Sequence, residues 1–357
     1  MTQSYQILYE KYGGFETPGV SVSLNGTELT ERTELAVLEA HLTLSTGREA
    51  GAAELLLGDF AHQADLTVKL KGLFQLGNTV RVSLGYGKKR TQVFLGYLSG
   101  LDYELAEDCR ESPVSVRLYC LDVKGLMMTA CSLDAGGKQS ALVRAVLDKA
   151  AYIPFIAKKE TTAIPGAQDA ALLRDGRSDW ALLCEIAGRQ GFAFYCAAGT
   201  LHFGADAPAG QPVCELKWGE LAQTMTLSYS MEGLLAGTTL YAADSAGKRL
   251  SATAPLSRAP RHAGDRLHSV LPKQGASLPF PEARTPAALK FAADTRMRDA
   301  EKNYATARTE SLGLPELLPG AAVTATGAGL GGKAVVTEAV HRFSEGSYRT
   351  ECTLRLL

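Results

Sequence analysis

The sequence predicts an α+β fold, mainly β, in which two β-domains flank a small α/β element. Three observations predict it. Apolar and polar residues alternate with period two from Gly19 to about Val123, and again from Glu215 onward. Between these stretches the apolar spacing becomes helical. The two β stretches also echo each other in the order of their elements.

The first domain is expected over residues 1–125. "GVSVSLNGTEL" alternates and turns at Asn25-Gly26, a dipeptide suited to a two-residue hairpin. "TVRVSLGYGKKRTQVFLGYLSG" holds two strands, Thr79 to Leu84 and Thr91 to Leu98, with Gly85 and Gly87 at the turn between them. "PVSVRLYCLDV" is a further strand. Short strands with turn signals at this spacing fit a small barrel or a sandwich.

The middle element is expected over 126–208. "SALVRAVLDKAAY" carries Leu142, Val143, Val146, Leu147 and Ala150 at helical spacing, with Ser140 as N-cap. In "SDWALLCEIAGRQGFAFYCAAGTLHFG", Ser178 caps a second helix and Gly191 ends it. Trp180, Leu183, Cys184 and Ala187 fall on one face, expected to be the buried one, with Leu182 and Ile186 beside them. "FAFYC" and "LHFG" then alternate around a turn at Ala197 to Thr200. Tyr195 and His202 are out of phase with Phe194, Leu201 and Phe203, which puts them at the rim.

The second β-domain is expected over 209–357. It opens with the strands "TMTLSYS" and "GTTLYAAD". Residues 256–285 are rich in Pro and Gly and read as a long loop. Their basic residues Arg258, Arg261, Arg266 and Lys273 read as a solvated surface. Thr285-Pro286 has the cap and first-position proline of a helix over 286–303, striped by Leu289, Ala293, Met297 and Ala300. The remainder is strand, turn, strand, turn, strand. Here "LPGAAVTATGAGLGGKAVVTEAVHRF" followed by "TECTLRLL" matches the phase of "LGNTVRVSLGYGKKRTQVFLGYLSGL" followed by "VSVRLYCL". Two related β-domains in one chain would let a trimer present a near six-fold surface.

Bulk properties exclude several classes. Across 357 residues, 37 basic residues balance 38 acidic ones, so no global charge calls for a nucleic-acid or membrane-surface partner. The seven cysteines are odd in number and contain no C-x-x-C, which fits small buried hydrophobes in a reducing compartment. "MTQSYQILYEKYGGFETPG" has no apolar core of signal-peptide type, and no window nears the roughly 18 apolar residues of a membrane span. Synthesis in the cytoplasm is expected.

Motifs for chemistry are weak. "GAGLGG" (Gly327 to Gly332) fits G-x-G-x-x-G, but a strand follows it where dinucleotide binding needs a helix. "GYGKKR" lacks the ends of a phosphate loop and reads as a hairpin tip. The histidines His41, His62, His202, His262, His268 and His341 form no metal-ligand pair. Cys196 and His202 could meet across the hairpin, but an apolar strand does not activate a thiol. Glu107 and Asp108 read as solvated charges. His341 shares a face with Ala339 and Phe343 and reads as half-buried or interfacial. No catalytic, cofactor-binding or metal residue is assigned, and no cofactor is expected.

The stretch from Ser178 to Gly204 resembles an element of phage late control D proteins and type VI secretion spike proteins. Ser178, Asp179, Leu183, Ala187, Gly191, Phe192, Phe194, Tyr195, Leu201 and Phe203 carry the match. Leu318, Pro319, Gly320, Val336, His341 and Tyr348 fit the same family's C-terminal pattern, with Ala339 where the pattern has a Val. "VFLGYLSGLDYE" resembles a strand of its first barrel. The resemblance implies two tail-tube-like β-barrels flanking the α/β element, assembled as a homotrimeric baseplate hub. It further implies the tail tube protein, a spike and other baseplate components as partners. The chain stops at Leu357 without the further spike domains of the secretion proteins, so the spike is expected to be a separate polypeptide. The alternatives are a tail-associated cell-wall hydrolase, which needs a paired carboxylate or metal site, and a carbohydrate-binding β-protein, which needs surface aromatics.

Overall fold

The computed structural model describes residues 3–29, 35–59, 72, 74–105, 114–129, 136–173, 176–205, 210–256, 266–271, 275–280, 283, 285–344 and 346–357. The period-two stretches are strands. The first group follows helix α1 (Tyr5–Lys11) and comprises β1 (Pro18–Leu24), β2 (Thr27–Glu28), β3 (Leu35–Ser45), β4 (Ala52–Asp59), β5 (Thr79–Tyr86), β6 (Lys89–Leu105) and β7 (Val114–Leu121). Asn25 and Gly26 take positive φ at the β1–β2 turn, as that dipeptide predicts. The β5–β6 turn is Gly87-Lys88 alone. Gly85 lies inside β5, paired with Gly19 and Arg90, rather than at the turn.

The middle of the chain holds α2 (Val123–Thr129), β8 (Gly137–Lys138), α3 (Gln139–Leu147), β9 (Lys158–Thr161), β10 (Ala171–Leu172), α4 (Asp179–Gln190), β11 (Phe192–Ala197) and β12 (Thr200–Ala205). Ser140 is not the cap of α3. It sits in the first turn, and Asp169 supplies the missing acceptors, taking the Ser140 backbone N–H at 2.8 Å and its hydroxyl at 2.6 Å. Ala150 lies beyond the helix end and is exposed.

The last part comprises β13 (Glu215–Lys217), β14 (Ala222–Tyr229), β15 (Gly237–Ala243), β16 (Arg249–Pro255), β17 (Ala276–Pro279), α5 (Pro286–Glu301), β18 (Ala305–Leu312), β19 (Ala322–Gly327), β20 (Leu330–Ser344) and β21 (Ser347–Leu356). Thr285 caps α5, accepting the Ala288 N–H at 3.2 Å, with Pro286 in the first turn. The expected loop over 256–285 is partly regular. It contains one helical turn, Leu267–Val270, and β17, which pairs in parallel with β15. α5 packs on the β16-β15-β17 sheet around Leu240, Leu289, Ala293 and Met297.

Among the described residues thirteen strands form one sheet with the order β14-β18-β21-β20-β3-β4-β7-β6-β5-β1-β2, with β19 on β20 and β13 on β19. The fold is mainly β, as the alternation predicts. Among the described residues no sheet closes on itself: the path is open at β14 and at β2. The reason is β20. Its first half pairs with β19, and its second half, Glu338 to Ser344, pairs with Ser45 to Glu39 of β3. The two β stretches are thereby joined edge to edge. One apolar core runs beneath both, holding Leu42, Leu55, Val82 and Phe94 with Val323, Val336 and Leu354. A second core, in the middle element, holds Val146, Leu183, Ile186, Phe194, Leu201 and Phe203. Among the described residues no helix is long and apolar enough to cross a membrane.

Candidate assembly surface and the signature element

The signature element starts at Ser178, whose hydroxyl accepts the Ala181 N–H at 3.2 Å, so the predicted cap is formed. The next residue, Asp179, is fully buried. It accepts the Tyr152 hydroxyl at 2.7 Å and pairs with the Lys149 ammonium, which compensates the cost of burying a carboxylate. Gly191 ends α4 with φ 63°. The buried face of α4 is Leu182, Leu183, Ile186 and Ala187. Trp180 and Cys184, expected on that face, flank it and are half-buried. Trp180 instead reaches outward, its indole N–H donating to the Arg48 carbonyl at 2.9 Å. That bond ties α4 to the segment after β3.

In the hairpin, Phe194, Cys196, Leu201 and Phe203 enter the middle core as phase predicts. Tyr195 and His202 stand opposite each other on the other face, stacked at 4.5 Å and 14°. Cys196 and His202 therefore point apart, and burial pushes the Cys196 thiol well above its usual range. His202 meets Glu160 at 2.9 Å. Tyr195 is no rim residue. It is 9% exposed, and a Cβ at Gly320, where φ is 84°, would collide with its hydroxyl. The hairpin thus packs on the Pro-Gly turn before β19, so the two segments that carry the family resemblance touch each other.

His341, expected to be half-buried, is fully buried on β20. Its Nε2–H donates to the Leu317 carbonyl at 3.1 Å. Nδ1 then accepts the Tyr348 hydroxyl at 2.9 Å, with Thr350 Oγ1 at 3.2 Å. Burial holds the imidazole at about 4, well below its usual 6.5. It is a neutral crossbrace between β20, β21 and the turn before β19.

A cleft of about 470 Å³ lies between α4, β11 and the second β stretch, bordered by Arg48, Cys184, Phe192, Lys302, Asn303 and Arg355. Burial raises the Cys184 thiol, outweighing the pull of Arg48 and Lys124, so it is not activated. Asp299 brings a carboxylate to this cleft. Among the described residues no group of three or more His, Cys, Asp or Glu is placed to hold a metal. His41 is exposed on β3, opposite Arg342. His62, His262, Glu107, Asp108, Cys109, Cys131, Arg258, Arg261 and Lys273 lie outside the described residues.

The sheet repeats itself. Running β3-β4-β7-β6-β5-β1 in the first half matches β14-β18-β21-β20-β19-β13 in the second, strand for strand. In both halves a two-residue turn, Gly87-Lys88 or Ala328-Gly329, leads into the longest strand, β6 or β20. Each long strand carries one bulge against its closing strand, at Ser99 and at Thr337. Each bulge residue makes the same bond: Ser99 Oγ donates to the Tyr119 carbonyl at 2.9 Å, and Thr337 Oγ1 to the Thr353 carbonyl at 3.0 Å. One pairing differs, since β1–β5 is antiparallel and β13–β19 parallel. The face away from the core is polar and cross-linked by charge. Arg117 pairs with Glu54, Arg342 with Glu351 at 2.9 Å, and Arg349 with Glu310 at 2.6 Å. Sequence reasoning found the echo but not the bulges, which hide as one extra residue within an alternating run.

No protein-family model matches the sequence, and no curated protein matches it. Solved structures do. A tail protein from Neisseria meningitidis MC58 matches with TM-score 0.66 and 16% identity, over 95% of this chain and 96% of that one. The 43 kDa tail protein of prophage MuSo2 from Shewanella oneidensis matches with TM-score 0.67 and 13% identity, over 95% and 98%. An E. coli component of the type VI secretion system, described as similar to the T4 bacteriophage tail proteins gp27 and gp5, matches with TM-score 0.58 and 11% identity, over 94% and 76%. Across nearly its whole length, the chain has the fold shared by these tail proteins and this type VI secretion component.

Proposed function

We propose that the chain is the structural baseplate hub of a phage tail, tailocin or contractile injection particle, adapting a hexameric inner tube to a trimeric spike. The observation that carries this reading is the duplicated sheet, with its matched bulges and edge-to-edge joint. A trimer of such a chain offers six similar halves, which suits it to a six-fold tube on one side and a three-fold spike on the other. Each half, 1–125 and 209–357, is a tube-like barrel domain in this reading, and 126–208 clasps them. The fold likeness to tail proteins supports it. The assembly is geometric and needs no cofactor or catalytic residue.

Light scattering of the purified chain at micromolar concentration tests the reading, with three chains per particle expected. A strictly monomeric mass would overturn it. The rival hydrolase reading predicts release of soluble fragments from purified peptidoglycan. No release is expected, and clear release would replace the hub reading with the enzymatic one.

A further inference from the structure

The cleft beside α4 is built from two kinds of β surface. Its floor is a sheet face. Thr306, Arg355 and Val335 form one row across β18, β21 and β20, with Thr353 and Thr337 beside them. Their chain neighbours Ala305, Ala307, Ala334, Val336 and Leu354 enter the core beneath, so the floor residues point up into the cleft. Its wall is a strand edge. Phe192, Ala193, Phe194 and Tyr195 border the cleft in succession. Side chains on a strand alternate between faces, so four successive residues line one space where the backbone edge itself faces it. Among the described residues β11 pairs with β12 alone and is the end strand of its sheet.

The charge bordering this space is unbalanced. Arg48, Lys302 and Arg355 bring three cations, and Asp299 is the one carboxylate among the described residues that line it. Lys302 engages Asp299 at 2.7 Å. Arg355 stands on the floor, 8% exposed. Arg48 is exposed at the rim, but its backbone is fixed. Its carbonyl accepts the Trp180 indole N–H at 2.9 Å, and nearby the Thr46 N–H donates to the Thr337 carbonyl at 2.8 Å. The α4 side of the cleft, at Cys184 and Ala187, is apolar. The two faces of β11 differ in the same way. Phe194 enters the middle core with α4, whereas Tyr195 packs toward Gly320 and the second β stretch. A strand added to β11 continues both faces. Its alternate side chains lie against α4, and those between lie over Arg355 and the threonines.

We propose that the cleft takes an extended acidic peptide of another protein as an added strand on β11. Its carboxylates lie over Arg355, Arg48 and Lys302, and its small apolar residues lie against Cys184 and Ala187. The strand edge supplies backbone hydrogen bonds, and the cations select the sequence. The bordering residues of β11 span about 13 Å, so the bound segment is about four residues long. The site lies within one chain, so it stands or falls apart from the hub reading.

Fluorescence anisotropy with the purified full chain and labelled synthetic peptides tests it. The alternating peptide Ala-Asp-Val-Asp-Val-Asp-Ala is expected to bind. Replacing its Asp by Lys, or grouping the Asp at one end, is expected to weaken binding at least about tenfold. Backbone N-methylation separates strand addition from mere charge capture. An added strand turns every second N–H toward β11, so methylation of one alternate set should abolish binding and methylation of the other should be tolerated. Arg48→Glu is expected to weaken binding at least about tenfold with an unchanged melting curve, since the loop is held by its backbone, and Lys302→Gln should weaken it in the same direction. If the alternating acidic peptide does not bind, or Arg48→Glu binds it as wild type does, no acidic segment docks here. If both N-methylated forms bind equally, or inorganic phosphate alone displaces the peptide fully, the cleft is a plain oxyanion site and the added strand is wrong.

Discussion

At the scale of the residue, His341 makes a pH-dependent contribution whose sign is fixed by burial. Its imidazole is held at about 4 in the folded chain against 6.5 when unfolded. Between these values the unfolded chain binds the proton and the folded chain refuses it. The contribution is therefore full above about 6.5 and lost as the pH falls toward about 4. Its size is about 3 kcal/mol, from the depression of the pKa. Buried Asp122, raised to about 6 by desolvation, works in the opposite direction over part of that range. The measurement is thus the difference between wild type and His341→Gln in urea unfolding at several pH values. The difference should shrink by that amount on acidification, and a constant difference would refute the assignment. Trp180 offers a second case. As a half-buried flank residue with one hydrogen bond, its replacement by Ala should cost about 1–2 kcal/mol, against about 2–5 kcal/mol for Leu183→Ala in the core. Equal losses in thermal melts would show that Trp180 is core after all. Alternation placed Phe194, Leu201 and Phe203 inward, because their burial is set by their own helix and hairpin. It misplaced Tyr195 and His341, since a distant turn covers the first and the packing of three segments encloses the second.

At the scale of the element, the same distinction separates what local sequence determines from what it does not. The caps of α4 and α5 were legible because Ser178 and Thr285 bond to N–H groups three residues on. The cap of α3 was not, because Asp169 comes from 29 residues away and satisfies two groups of Ser140 at once. Asp169→Ala should therefore destabilise the middle element by about 1–2 kcal/mol, and Ser140→Ala by about half as much, since it removes only the hydroxyl bond. Chemical denaturation followed through Trp180 fluorescence reads both; a larger loss for Ser140→Ala would reverse the assignment. β17 was missed for a related reason. Four residues ending in Pro279 make a weak local signal, and their parallel pairing with β15 is decided by the α5 layer packed on that sheet.

At the scale of the whole molecule, the β3–β20 joint makes the two β stretches one body. The alternation gives each stretch its strands, but nothing in a periodic pattern says which edges meet, so the joint by which the sheet runs on from one β stretch to the other was not legible in the sequence. The shared core follows from that pairing, with Leu42 of β3 and Val336 of β20 in one apolar cluster. Separating the halves should therefore expose what the joint covers. In a fragment ending at residue 208, the edge of β3 from Glu39 to Ser45 loses its partner strand, and Ala40, Leu42 and Leu44 lose the cover of β20. An unprotected edge of this length with apolar residues on alternate positions pairs with whatever strand is available. The fragment is expected to self-associate or precipitate, while the full chain unfolds its joined sheet in a single transition with β3 and β20 amides in one hydrogen-exchange class. A fragment that stays monomeric, or a full chain whose β3 amides exchange well before those of β20, would mean that the joint adds little and that the two halves are independent after all.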